Sequence, residues 1–99
     1  GSSAFNTVDD KLVSEIINYL SKNANSKLTI NGYSSSEGDI TFNQWLSQKR
    51  ANVFKDYLVG KGVSSNKVIA TGKGIENPIA SNDTDEGRVK NRRVEIVMQ

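Results

Sequence analysis

The stretch Leu28-Thr29-Ile30-Asn31 alternates apolar and polar side chains and is closed by Gly32, the pattern of a short half-buried strand. Val68-Ile69-Ala70-Thr71 reads as another strand, running into Gly72-Lys73-Gly74. Between them a helix is expected from about Thr41 to Lys61. Its apolar stripe is Leu46, Val53, Phe54, Tyr57 and Leu58, flanked by Trp45, and Gly60 and Gly62 mark its C-terminal end. Strand, helix and strand in this order close as a right-handed crossover, which makes the two strands a parallel pair. That unit decides the fold.

Outward from it, residues 8–22 carry Val8, Leu12, Val13, Ile16, Ile17, Tyr19 and Leu20, mostly at i, i+4 spacing. This is the stripe of an amphipathic helix. Asn6 or Thr7 can cap it, and Asp9 and Asp10 suit its first turn. Val94, Ile96 and Met98 define a C-terminal strand. The segment before it, with the sole proline Pro78, reads as a long polar loop. Residues 1–5 read either as a cloning remnant or as a truncated first strand at Ala4-Phe5. The expected fold is α+β, two layers with two main helices on one face of a small mixed sheet. Residues 1–99 are expected to form a single domain.

Composition narrows the chemistry. The 99 residues include no cysteine and no histidine. Thiolate and imidazole metal sites are therefore excluded, as are Cys–His and Ser–His catalytic pairs. The net charge of +2 is too small to imply nucleic acid. No apolar run reaches the ~20 residues of a membrane helix. With no signal peptide either, the chain is expected to be a domain of a longer exported protein, meeting a membrane only through other parts of that parent. Seven carboxylates show no spacing that flanks a scissile bond: Glu37, Asp39, Asp56, Asp83, Asp85, Glu86 and Glu95. No enzyme activity and no cofactor are expected.

One residue breaks the helical pattern. Arg50 follows Leu46 by four positions and precedes Phe54 by four, so it projects from the core side of its helix. Such an arginine must snorkel, pair with a carboxylate or serve a ligand. Asn43 lies two turns earlier on the same face, toward the loop Tyr33-Ser34-Ser35-Ser36-Glu37-Gly38. A guanidinium, an amide and a helix N-terminus at one loop suit a carboxylate ligand. The competing reading is purely structural, with Arg50 paired to Glu95 or Asp39, and spacing alone slightly favours it.

Gly87-Arg88-Val89-Lys90-Asn91-Arg92-Arg93 is either a solvated basic loop or the source of another cation for that site. Neighbours on a strand face opposite sides, so only one of Arg92 and Arg93 can join it. Gly72-Lys73-Gly74 lacks the rest of any phosphate-loop fingerprint and reads as a turn. Tyr33, Phe42 and Trp45 are a possible stacking surface for sugars or bases, or plain packing residues.

The segment Asn43-Gln44-Trp45-Leu46-Ser47-Gln48-Lys49-Arg50-Ala51-Asn52-Val53 resembles the OmpA-like pattern N-x-x-L-S-x-x-R-A-x-x-V, with every fixed position filled. Tyr57-Leu58, Gly62-Val63, Gly72-Lys73-Gly74, Pro78-Ile79-Ala80, Asn82-Asp83-Thr84, Gly87-Arg88 and Asn91-Arg92-Arg93-Val94-Glu95 continue the resemblance in order, over roughly residues 28–99. The resemblance implies a βαβαβ-type two-layer sandwich of helices on a mixed sheet, and non-covalent binding of the peptidoglycan stem peptide at diaminopimelate. It further implies a wall anchor in the periplasm of a Gram-negative bacterium, attached to the outer membrane through its parent protein. Arg50 would grip a diaminopimelate carboxylate, Arg92 would lie near the same ligand, and Asn43 would stand at the helix N-terminus beside it. Ser34, Ser35 and Glu37 would form the loop wall, and Tyr33 and Leu46 complete the candidate ligand-binding set.

One departure stands out. The family usually has Gly-His-Thr-Asp where this chain has Gly32-Tyr33-Ser34-Ser35. The family aspartate pairs with the ligand's ammonium, and Ser35 brings no charge. That loss is expected to cost on the order of 1–3 kcal/mol unless Glu37, two residues on, supplies the charge. The same departure favours the alternative function, a protein-interaction or assembly module on the same fold with weak or no wall binding. A nucleic-acid module built on Arg88, Lys90, Arg92 and Arg93 is the third reading, and the modest charge argues against it.

Overall fold

The computed structural model describes residues 2–5 and 10–98. The elements run β1 (Ser2–Phe5), α1 (Asp10–Lys22), β2 (Leu28–Gly32), α2 (Ile40–Gly60), β3 (Val68–Gly72), α3 (Asp85–Asn91) and β4 (Val94–Met98), with a single 3-10 turn at Ser65–Lys67 before β3. The expected caps Asn6 and Thr7 and the helical positions Val8 and Asp9 lie outside the described residues.

The four strands stand in the order β1-β4-β2-β3. β2 and β3 pair in parallel, with Leu28 opposite Val68 and Gly32 opposite Gly72. This is the crossover predicted from the strand–helix–strand unit. β4 fills the centre, antiparallel to both β2 and β1. Residues 2–5 thus serve as a strand, opposite Val94–Val97.

Alternation along the strands aims one face of the sheet at the helices. Leu28, Ile30, Val68, Val94 and Ile96 share one core with Val13, Ile16 and Leu20 of α1 and Ala51, Phe54 and Leu58 of α2. Both long helices therefore lie on the same side, as expected for a two-layer α+β sandwich. The other face carries Thr29, Asn31, Ile69, Thr71, Glu95 and Val97, none of them fully buried.

The buried face of α2 differs from the expected stripe. It runs Asn43, Ser47, Ala51, Phe54 and Leu58, whereas Val53 is exposed and Leu46 is only half-buried. The small and polar positions have a steric reason. A Cβ on Gly32 would collide with the Ser47 carbonyl, and one on Gly72 with the backbone of Gln48. The N-terminal half of α2 thus seats directly on the ends of β2 and β3, and a larger side chain at position 47 or 51 has no room. Gln48 adds a polar seam. Its amide donates to the Ala70 carbonyl (3.0 Å) and accepts from the Gly72 N–H (2.8 Å), covering backbone groups of the edge strand β3.

The expected long polar loop contains α3. Thr84 caps this helix by accepting the Gly87 N–H (3.0 Å), and Asp85 and Glu86 occupy its first turn. Polar contacts hold it. Asn91 is 1% exposed; its side-chain Oδ1 accepts from the N–H groups of Ile79 (2.8 Å) and Ala80 (3.0 Å), and its side-chain amide donates to the Ala80 carbonyl (3.0 Å). A Cβ on Gly87 would run into the Ser81 carbonyl, so α3 packs on that loop backbone to backbone.

Candidate functional site

The loop from Tyr33 to Gly38 leaves the end of β2 and enters α2, with Asp39 as N-cap accepting the Thr41 N–H (3.0 Å). Hydrogen bonds pin this loop on three sides. The Tyr33 N–H reaches the Arg93 carbonyl (2.8 Å) and the Ser34 N–H the Gly74 carbonyl (2.8 Å). The Ser34 hydroxyl donates to the Asn43 carbonyl (3.1 Å), and the Asn43 amide donates to the Glu37 carbonyl (2.5 Å). The Ser36 N–H donates to the Asn82 side chain (3.1 Å). Tyr33, Ser34, Ser35 and Asn43 are all buried.

Arg50 reaches this loop from α2. Its Nη1 donates to the Tyr33 carbonyl at 2.6 Å. Burial lowers its pKa below the ordinary arginine value, and the nearby Arg92 charge pushes the same way. No carboxylate pairs with it among the described residues. The structural alternative of a pairing with Glu95 or Asp39 is overturned. Glu95 sits 2.6 Å from Arg93, and Asp39 caps α2. Arg50 is thus a half-buried cation whose remaining donors lie beside another guanidinium, an arrangement that favours an incoming anion.

The Arg92 Nε donates to the Ser35 hydroxyl (3.2 Å), and its Nη2 meets Glu37 at 2.6 Å. The same Glu37 oxygen lies 3.1 Å from the Arg88 Nε and 3.5 Å from the Ser35 hydroxyl. A carboxylate therefore stands next to Ser35, steered there by two arginines one helical turn apart. Arg93 has the structural role left to it by the alternation rule. It is 2% exposed, donates to Glu95 and to the carbonyls of Asn77 (2.8 Å) and Asn91 (3.3 Å), and lies 3.9 Å above the Tyr33 ring.

Seven of the eight expected site residues are thus brought together by contacts: Tyr33, Ser34, Ser35, Glu37, Asn43, Arg50 and Arg92. Leu46 is half-buried one turn before Arg50. Tyr33 contributes its backbone, since its ring is buried under Arg93; burial and Glu95 raise its hydroxyl pKa. The three aromatics do not form one surface, because Phe42 and Trp45 are exposed and Tyr33 is not. Asn82 and Asn91 were given no role from sequence, and Arg88 only one in the nucleic-acid reading, although all three lie in the quoted motifs. Their part becomes visible once α3 is in place. Among the described residues there is no cluster of His, Cys, Asp or Glu suited to a metal, and no helix long and apolar enough to cross a membrane.

The two-layer sandwich thus groups the guanidinium groups of Arg50 and Arg92 beside the Tyr33–Gly38 loop. The family model of the OmpA family matches residues 1–92, and the chain belongs to that family. It is similar to the peptidoglycan-binding protein ArfA of Mycobacterium tuberculosis, 43% identical over 90 residues. That match covers 91% of this chain and 28% of ArfA, so the chain spans under a third of that relative. Among solved structures it is similar to the peptidoglycan-associated lipoprotein from Burkholderia pseudomallei, with TM-score 0.87 and 26% identity over 97% of this chain and 89% of that one. It is also similar to the cell wall anchor of the T6SS from Pseudomonas aeruginosa, with TM-score 0.70 and 30% identity over 94% and 68% of the two chains.

Proposed function

We propose that this OmpA-family domain, residues 1–99 acting as one unit, binds peptidoglycan without covalent chemistry and anchors its parent protein to the cell wall. The ligand is the stem peptide, held at diaminopimelate. Arg50 grips the side-chain carboxylate through its free donors, and Arg92 adds positive potential beside it. Asn43 and Ser34 keep the loop in place through their bonds to Glu37 and to each other. Glu37, next to Ser35, takes the ligand's ammonium group in the role of the family aspartate. The working compartment is the periplasm, on a parent attached to the outer membrane.

The observation that carries this reading is Arg50 itself, half-buried and without a carboxylate partner among the described residues. A buried cation left unneutralised costs stability that packing must offset, so its retention at the mouth of a polar loop argues for a ligand. The names of the similar proteins, which describe peptidoglycan binding and wall anchoring, point the same way. Cosedimentation with purified peptidoglycan tests it. The parent domain is expected in the pellet and Arg50→Ala in the supernatant. An Arg50→Ala domain that pellets as well as the parent removes Arg50 from the site, and a parent that stays in solution sinks the function.

A further inference from the structure

On the exposed side of α2, Phe42 and Trp45 stand one turn apart with ring centroids 5.8 Å apart and planes inclined by 26°. Each ring is more than half exposed. Lys49 follows a turn later, its Nζ 4.7 Å from the Trp45 ring centroid. Exposed apolar side chains are ordinary when scattered, but two large rings stacked in water call for an occupant. Their place on the helix indicates which one. Phe42, Trp45 and Lys49 each precede a member of the proposed site row Asn43, Leu46 and Arg50 by one residue. One residue is about 100° of helix, so the two rows run side by side along the same ~10 Å of α2. On the other side of Trp45, away from Arg50, opens a depression of about 600 Å³ lined by Ile40, Thr41, Gln44, Trp45 and Gln48. The ring thus stands between the carboxylate site and a concave surface.

We propose that the Phe42–Trp45–Lys49 row is a stacking platform for a sugar of the glycan strand from which the bound stem peptide branches. The proposal rests on the stem-peptide reading and extends it from the peptide to the polymer backbone. A pyranose has a face of C–H groups that lies flat on an aromatic ring while its hydroxyls stay in water. Amphipathic rings next to a cation suit that mixed surface better than a purely apolar partner. The Lys49 ammonium is a donor for a sugar hydroxyl or acetamide carbonyl. Continuity with the Arg50 row is the geometric argument, because the platform adjoins the row that would seat the peptide.

Calorimetric titration with two probes tests this: a free diaminopimelate stem peptide, and the same peptide carried on its disaccharide. The parent is expected to bind the disaccharide-peptide about tenfold more tightly than the free peptide. The doubly substituted Phe42→Ala, Trp45→Ala domain is expected to lose that advantage and keep the parent's affinity for the free peptide. Both side chains are largely in solvent, so the fold is expected to survive, and Trp45→Phe is expected to retain most of the advantage. Equal affinity of the parent for the two probes overturns the platform. So does a double variant that keeps the disaccharide advantage, or one whose only change is in self-association, which would assign the face to a second copy. If the free peptide fails to bind while a Trp45-dependent affinity for the disaccharide-peptide remains, the stem-peptide reading fails and the platform stands.

Discussion

The two ends of α2 bury the same face of one helix by opposite means. Its C-terminal half puts Phe54 and Leu58 into hydrocarbon, against a core shared with α1 and the sheet. Its N-terminal half buries Asn43 and Ser47, and hydrogen bonds hold both side chains. Ser47 accepts the Gly74 N–H (2.8 Å) and donates to the Gln44 carbonyl (2.8 Å), while Asn43 binds the Glu37 carbonyl. The apolar end makes a fold possible and the polar end shapes a loop that a ligand can meet. In the proposed reading, fold stability and ligand affinity are thereby separated along one element, because hydrocarbon burial is non-directional whereas satisfied polar groups hold specific atoms in place.

This separation breaks most visibly at the apolar end. Phe54→Ala is expected to cost about 3–5 kcal/mol of stability, read from urea unfolding. Affinity per folded molecule is expected to stay at the parent's value. A loss under about 1 kcal/mol would mean that the core does not depend on this ring. The converse variant is Arg50→Ala, with almost unchanged unfolding but affinity for a diaminopimelate peptide lower by about thirtyfold or more. Unfolding that suffers as much as binding would reveal a structural arginine. Asn91→Ala sits between the two, at about 1–3 kcal/mol, since it leaves the buried N–H groups of Ile79 and Ala80 without their acceptor. Its binding defect is expected to be small if α3 keeps Arg88 and Arg92 in place.

The apolar end was also the more legible. Alternation in β2, β3 and β4 and the crossover order suffice for the parallel pair, because a strand with one buried face has a single usable register. The polar end was legible only in part. Arg50 announces itself by interrupting an apolar stripe. Its proposed partner Glu95 was misassigned, although Arg93, the residue before β4, and Glu95 are two apart along extended chain and so share a face. α3 was missed because a helix held by Asn91, Thr84 and close backbone contact at Gly87 carries no apolar period. Without α3, the i, i+4 spacing of Arg88 and Arg92 has no meaning, and Glu37 cannot be placed between them. Val53 shows the opposite error, an apolar residue counted into the core that stands in solvent.

The smallest expected effect is the most informative about the ligand. Ser35 lies 3.2 Å from the Arg92 Nε and 3.5 Å from Glu37. A carboxylate introduced by Ser35→Asp would find Arg92 as its partner, so burial alone does not forbid its ionised form. It would also restore a full negative charge where the family has one. Affinity for a diaminopimelate peptide is expected to rise about threefold to tenfold. In the parent, Glu37→Gln is expected to lower it by a similar factor, because Glu37 is the carboxylate that meets Ser35 among the described residues. In the Ser35→Asp background the Glu37 substitution should matter less, since the ammonium then has another acceptor. The cycle of the two changes therefore measures whether both carboxylates serve the same charge. Additive effects would mean that Glu37 only organises Arg88 and Arg92, and that the ammonium half of the site is built from other groups.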